Sequence, residues 1–333
     1  MAARARASTK PEGNAAAQGR GERYRAGLLP YLNTAPYYKR WHELAQASEG
    51  RWSSCVDTPH QLGLAAERGE VDAGVMSLVD LLRLHEDFEP LPVPSPEAPA
   101  GFGICGRSRI DSVLLFMRGA PETGNPIQEP PRVLSWSEAD RLHGTVIGIT
   151  DETSTSVHLL RLLLEGRFGV FPRQYRRVDL PLGREEDPGE VLPADVIAVL
   201  VIGDTALRWL SDPPLGYALR MDLAAAWNQW TGLPFVFARW AVRRSVQPES
   251  KEWLGRFLLR SLSEAKEDFR PIVSSRLSEL AGTPGVGAGA LGAPSALVAY
   301  LENIIYTLGP DELAAIEEFR KLTRRFGIAL SDA

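Results

Sequence analysis

Cysteine is nearly absent from this chain: Cys55 and Cys105 are the only two in 333 residues, and they form no CxxC pair. A disulfide framework and a cysteine-based structural zinc site are therefore not expected, and both thiols read as small buried hydrophobes. Histidine is sparse too, with five residues. His158 falls inside a helical stretch, while His42, His60, His85 and His143 read as peripheral, so no metal site is expected. Long apolar runs are missing: none approaches the roughly 18 residues that a membrane span requires. An excess of positive charge is missing as well. The 37 Lys and Arg stand against 42 Asp and Glu, for a formal net charge of −5, and the basic residues are scattered, so no nucleic-acid partner is expected. Residues 1–23, rich in Ala, Arg and Gly, lack the apolar core of a secretory signal. They read as a disordered tail on a cytoplasmic protein. No internal repeat is visible.

What is present is an alternation of strands and helices, which favours an α/β fold with a parallel or mixed sheet. "YRAGLLPYL" reads as a first strand, after which Thr34 can cap a helix with Pro36 in its first turn. "RWSSCV" is a second strand, and "DTPHQLGLAAERGE" a helix capped by Asp57 or Thr58. "VDAGVMS" ends as a strand at Ser77, before the short helix "LVDLLRLH". A second block begins at "FGICGRSRIDSVLLFMRG" and includes the strand "TVIGIT", the polar turn and apolar helix "DETSTSVHLLRLLLEGRFG", and the buried strand "ADVIAVLVIGD". A third block opens with the strand "LPFVFARWAVRR" and ends in helices around "LVAYLENIIYTLG" and "DELAAIEEFRKLTRRF". The Pro/Gly-rich stretch between Gly119 and Arg132 and the low-complexity "AGTPGVGAGALGAPSA" read as insertions.

The polar residues fall in a pattern. Asn33, Ser77, the run Thr153 to Ser156 and Asp204 each follow a predicted strand and precede a predicted helix. In open α/β sheets that is the carboxyl edge, where ligands bind. Junctions of this kind facing one crevice would offer amides, hydroxyls and helix N-termini, which suit a small anion. The stretch "LLPYLNTAPYY" at residues 28–38 is the sharpest of them: Asn33 either turns the chain by bonding its own backbone or aims into the crevice.

The motifs "PYLNTAP", "GEVDAGVMS", "SVLLF", "ITDETSTSVHLLRLLL", "LVIGDTAL", "DLAAAWNQWTGLPFVFARWAV" and "YLENIIYTLGPDE" occur in this order. Together they resemble the MqnA family, the chorismate dehydratase of the futalosine route to menaquinone. The resemblance spans roughly residues 25–325. It implies a periplasmic-binding-protein-like fold of type II, two α/β lobes with a ligand cleft between them. Residues 24–100 plus 238–333 would form one lobe and 101–237 the other, with crossings near 98–104 and 232–240.

The implied activity is a hydro-lyase that removes water from chorismate to give 3-[(1-carboxyvinyl)oxy]benzoate, without a cofactor. The resemblance assigns Asn33 to orienting the substrate and Thr153, Thr155 and Ser156 to a substrate carboxylate, with Ser77 and Ser112 as further donors. Gly106 and Ser108 depart from the family pattern beside Ser112. Arg107 and Arg109 could meet an anion or simply be solvated. Asp204 is the only matched acid at the cleft edge, so it is the candidate base, and it is equally a candidate helix cap. Without an evident protein base, the enolpyruvyl carboxylate of the substrate is expected to take the proton. Trp227, Trp230, Pro234 and Phe235 read as buried core ahead of a cleft wall. The competing readings are a non-catalytic small-carboxylate-binding protein, a ligand-sensing domain, and the sister enzyme that forms dihydroxynaphthoate, whose first junction resembles "SPCPND". The sequence leaves a homodimer open.

Overall fold

The computed structural model describes residues 23–48, 50–93, 95–119, 131–150, 152, 154–180, 192–214, 216–217, 219–282 and 291–330. The expectations for the N-terminal tail through residue 22, for most of the first insertion and for half of the second fall outside these residues, as does Thr153.

The chain runs through β1 (Tyr24–Leu28), β2 (Trp52–Val56), β3 (Ala73–Ser77), β4 (Phe88–Pro90) and β5 (Phe102–Gly106). It continues through β6 (Val113–Met117), β7 (Val146–Thr150), β8 (Gln174–Val178), β9 (Val196–Ile202) and β10 (Leu219–Asp222), then β11 (Phe235–Arg243) and β12 (Ile304–Thr307). Two sheets result. The larger is ordered β12-β5-β11-β3-β1-β2, with β4 also on β11, and the smaller is ordered β10-β6-β9-β7-β8. Within the first, β1 pairs parallel with β2 and β3, whereas β11 runs antiparallel to β3, β4 and β5. In the second, β7 is parallel to β8 and β9.

Strand pairing places β5 in the larger sheet, between β11 and β12. The first change of sheet therefore lies between Gly106 and Val113, later than the expected crossing near 98–104. Every residue of β5 is buried, so the strand keeps a partner on each edge. The return falls between Asp222 and Phe235.

The stretch "LVAYLENIIYTLG" also divides differently from its helical reading. The helix Pro294–Asn303 stops, and Ile304–Thr307 pairs with β5 as β12. Two consecutive isoleucines favour an extended backbone, and β5 offers an open edge. Trp227 and Phe235 lie in the core, as expected. The Trp227 Nε1–H donates to Pro234 O at 2.9 Å, and its ring meets Phe235 at 5.2 Å, with Phe319 5.4 Å from Phe235. Among the described residues, no helix is long and apolar enough to cross a membrane.

A close backbone approach between two glycines joins the strands that carry the Asn33 and Ser77 junctions. Gly27 of β1 pairs with Gly74 of β3, and a Cβ on Gly74 would lie 2.4 Å from Gly27 O. A Cβ on Gly27 would instead meet the end of the Leu62 side chain at 2.8 Å, which can move. Gly74→Ala is therefore expected to lose about 2–3 kcal/mol of stability and Gly27→Ala about half of that or less. Urea midpoints of the two variants check the order.

Candidate active site

The sequence around Asn33 builds its own turn. Pro30 interrupts the strand, and the Thr34 hydroxyl donates to Leu29 O and Tyr31 O, both at 3.0 Å. Those bonds tighten Leu32–Thr34 into a 3₁₀ turn ahead of the helix Ala35–Tyr38. Thr34 thus occupies the expected cap position but spends its hydroxyl on the turn behind it. Asn33 is left buried at 8% exposure, with Oδ1 fully covered and without a hydrogen-bond partner.

Asn33 lines a cavity between the two sheets together with Ser77, Ser112, Thr155 and Ser156. Five of the expected site residues thus meet in one place. The cavity is a slot of about 560 Å³ outside atoms, part of it open to solvent. Its remaining walls are largely apolar, including Leu29, Ile104, Ile202 and Phe237. No charged side chain lines it among the described residues.

The lining hydroxyls are not equivalent. Ser77 caps the helix Leu78–Arg83 by accepting from Asp80 N–H at 3.1 Å, and its own O–H donates to Asp80 Oδ2 at 2.6 Å. Ser154 donates to the same oxygen at 3.0 Å, with the two serine oxygens 2.9 Å apart. Thr155 Oγ1 accepts from Val79 N–H at 3.1 Å. Ser77, Ser154 and Thr155 therefore spend hydrogen-bonding capacity on joining the two halves of the molecule. Ser112, 1% exposed, has an Oγ with no partner. The helix Thr155–Arg161 begins at Ser154 with no side-chain cap on its N-terminus.

Asp204 does not line the slot. Its carboxylate is buried, accepting from Leu32 N–H at 2.9 Å and from Arg276 Nε–H at 2.8 Å. Burial raises its pKa, and Arg276 and the Leu32 N–H oppose that shift. Arg276 also donates to Pro30 O at 2.7 Å. The acid expected as the candidate base instead fastens the turn that carries Asn33. It does not cap its own helix through its side chain either. Beside it, Gly203 adopts φ +63°, and a Cβ there would lie 2.8 Å from the Tyr31 ring. The Tyr31 hydroxyl donates to Glu152 Oε2 at 2.7 Å, a further tie between the halves.

Three residues that hold the site were not singled out from the sequence: Asp80, Asp222 and Arg276. Asp222 had a readable signal, an acid between a strand and an apolar helix. Its Oδ2 accepts from Ile110 N–H at 2.8 Å and Asp111 N–H at 2.7 Å, and its Oδ1 caps the helix Leu223–Thr231 through Ala225 N–H at 3.0 Å. Asp111 adopts φ +59°, and its carboxylate pairs with the Arg109 fork at 2.6 to 3.1 Å. Arg109 is thereby engaged away from the slot. The crossing segment ahead of Ser112 hangs on Asp222. Arg276 had no local signal, because its partners are distant in sequence.

Burial pushes Asp222 up to about 6, in spite of the three N–H groups it accepts. A carboxyl whose folded pKa exceeds its unfolded value of about 3.9 binds its proton more tightly when folded. The contribution of Asp222 to stability is thus full below about pH 4 and is lost as the pH rises through about 6. Asp222→Asn is expected to flatten the fall in stability between about pH 4 and pH 7. Urea midpoints of both proteins at the two pH values measure it, and an unchanged slope would remove Asp222 as its source.

A family model described as menaquinone biosynthesis matches residues 24–325. The chain is 30% identical to a chorismate dehydratase of Thermus thermophilus over 304 residues, covering 87% of this chain and 92% of that protein. Among solved structures, protein AF1704 from Archaeoglobus fulgidus is similar at TM-score 0.62 and 15% identity, covering 93% of this chain and 100% of that one. The periplasmic aliphatic sulphonate binding protein SsuA from Escherichia coli is similar at TM-score 0.56 and 14% identity, covering 92% of each chain. At such identities the likeness is one of fold, and the fold is periplasmic-binding-protein-like, as the motifs implied. The match over nearly the whole described length places the chain in the menaquinone-biosynthesis family.

Proposed function

We propose that this chain is a chorismate dehydratase, a hydro-lyase that converts chorismate to 3-[(1-carboxyvinyl)oxy]benzoate and water. The observation that carries the reading is the slot with apolar walls and uncharged polar groups, built from Asn33, Ser112 and the Thr155–Ser156 helix start. The similarity to a chorismate dehydratase supports the choice of substrate. On this reading the protein consists of two lobes divided by sheet membership, residues 24–106 with 235–330 against 113–222, and it works in the cytoplasm.

Chorismate is a dianion with one cyclohexadiene ring, whose tetrahedral C3 and C4 become planar on aromatisation. The elimination breaks the C3–H bond and the C4–O bond and leaves an aromatic ring, which supplies the driving force. The task for the protein is to orient the ring, accommodate charge that moves toward the ring carboxylate, and assist departure of the hydroxyl. Neutral donors do this without introducing a buried counter-ion. The uncapped helix start at Ser154 offers N–H groups to one carboxylate, and the Asn33 amide offers its N–H to the reacting part of the ring.

The slot offers no carboxylate or imidazole to remove the C3 proton among the described residues. The enolpyruvyl carboxylate of the substrate takes that role. A poorly hydrated apolar wall raises the basicity of a carboxylate. The proton it accepts then leaves with the C4 hydroxide as water, so the reaction balances without an added reagent. Asp204, held by Arg276 and the Leu32 N–H, serves to position Asn33.

Purified protein mixed with chorismate should yield the enolpyruvyl benzoate, 18 Da lighter, on chromatography with mass detection (the loss of one water, about 18 Da). Chorismate bound but unchanged would mark a binding protein instead. Asn33→Ala is expected to lose roughly 100-fold or more in kcat, as for removal of a donor to developing charge. Asp204→Asn should lose stability while a folded fraction keeps its chemistry. A folded Asp204→Asn protein that binds chorismate and cannot turn it over would sink the substrate-assisted route.

A further inference from the structure

Two of the hydroxyls that line the slot have no proton left to give. Ser77 and Ser154 both stand on its wall, with their oxygens 2.9 Å apart. Asp80 Oδ2 lies 2.6 Å from Ser77 Oγ and 3.0 Å from Ser154 Oγ, and Asp80 is not part of the wall. Each hydroxyl carries one proton, and a carboxylate oxygen only accepts, so both protons are spent on Asp80. Lone pairs remain. Ser154 Oγ keeps two, and Ser77 Oγ keeps one after accepting from Asp80 N–H at 3.1 Å.

The carboxylate is firmly seated behind the pair. A Cβ on Gly63, in the helix Pro59–Glu67, would lie 2.8 Å from Asp80 Oδ2, so that helix backs it directly. Arg83 meets the other oxygen, Oδ1, at 3.5 Å and is shared with Glu67 at 3.1 Å. Negative charge therefore backs the serines, and the positive charge lies on the far oxygen. A ligand carboxylate at this spot would meet lone pairs, and could gain a serine proton only by taking it from Asp80. A ligand hydroxyl fits instead, because an oxygen that donates to a carboxylate is the better acceptor for it.

We propose that Ser77 and Ser154, with Asp80 as their positioning residue, form a subsite that accepts a hydrogen bond from a ligand hydroxyl and so selects a hydroxylated carboxylic acid over its dehydrated counterpart. Ser77 then meets the ligand as an acceptor and not as the further donor that the motifs implied. Ser77 ends β3 of the larger sheet, and Ser154 precedes the helix that follows β7 of the smaller, so the pair exists only with the two halves together. The identity of the hydroxyl rests on the dehydratase reading, on which it is the C4 hydroxyl of chorismate. With its own proton held by the serines, that oxygen has a lone pair free for the enolpyruvyl carboxylic acid. The proton taken from C3 passes to it as the C4–O bond breaks. Water leaves with the hydroxyl proton and the C3 proton, and no other reagent is needed. The aromatic product has no hydroxyl to offer and is held less tightly.

Two stable aromatic dicarboxylates test the subsite without turnover: 3-(carboxymethoxy)-4-hydroxybenzoate and 3-(carboxymethoxy)benzoate, which differ by one hydroxyl. Calorimetric titration of wild type should show the hydroxylated probe bound roughly 10-fold more tightly. Ser154→Ala removes the acceptor with two free lone pairs and costs no helix cap. It should shrink the ratio to below about threefold. Asp80→Asn offers the serines an amide N–H and frees their protons for the slot, so the preference should vanish or reverse. Thermal unfolding checks that each variant is folded. Equal binding of both probes by wild type, binding of neither, or a preference that persists at full size in Ser154→Ala would overturn the subsite. A preference that persists in Asp80→Asn alone would overturn the part given to Asp80. Turnover decides the dehydratase reading separately. Wild type that leaves chorismate untouched but prefers the hydroxylated probe loses that reading and keeps the subsite, and wild type that converts chorismate but binds the probes alike does the reverse.

Discussion

The carboxylate of Asp204 lies where the two sheets meet, and the setting of Asn33 follows from what that carboxylate binds. It belongs to the helix after β9, yet both its hydrogen bonds reach the other half of the molecule, to the Leu32 backbone and to Arg276. Arg276 in turn holds Pro30 O. The turn at residues 30–34 is thus grasped from both sides. A buried ion pair of this kind adds little net stability compared with an apolar substitute, but losing one partner leaves a charge stranded and costs about 3–5 kcal/mol. Its value here is geometric: it joins the strand end that carries Asn33 to the strand end that carries Gly203. The Tyr31 ring can pack on the Gly203 backbone only because no Cβ intervenes.

The same division of labour recurs around the slot. Asp80, Asp204 and Asp222 are all buried next to strand ends, and each carboxylate accepts from neighbouring hydroxyls or backbone N–H groups. None of the three lines the cavity. The charged groups hold the backbone in place, and the uncharged ones line the slot. For a dianionic substrate this avoids setting a bare carboxylate against it, and it avoids trapping it against a buried cation. Donors fixed by such a scaffold need no reorganisation as charge shifts in the reaction.

Much of this was legible from residue order. Apolar runs such as "VIAVLVI" and "FVFARWAV" marked buried strands, because a strand covered on both faces tolerates little else. The junction pattern gathered Asn33, Ser77, Thr155 and Ser156 and the resemblance added Ser112, and the structure brings these five to one cavity while Asp204 of the same pattern stays outside it. Asp222 also stands between a strand and an apolar helix, but the short strand Leu219–Asp222 carries no apolar run to mark it. The reading failed where pairing partners decide. "FGICG" looked like the opening of the second block because it is followed at once by another strand. Which sheet it joins depends on β11 and β12, more than a hundred residues further on. "ENIIYT" looked like the end of a helix until β5 offered it an edge.

The sequence by itself determined the α/β class, the edge where the site lies and the family, because these depend on local periodicity and on motif order. Only the tertiary structure decided what each polar group does. A hydroxyl at a strand end can cap, bridge or bind, and the choice depends on which groups approach from the other half. Ser77 meets Ser154 there and Thr155 meets the Val79 N–H, whereas Asn33 Oδ1 and Ser112 Oγ find no partner. Asp204 became a clasp when Arg276 arrived from 72 residues away. Hydrogen-bond partners are set by distances through space, and residue order alone carries no record of those distances.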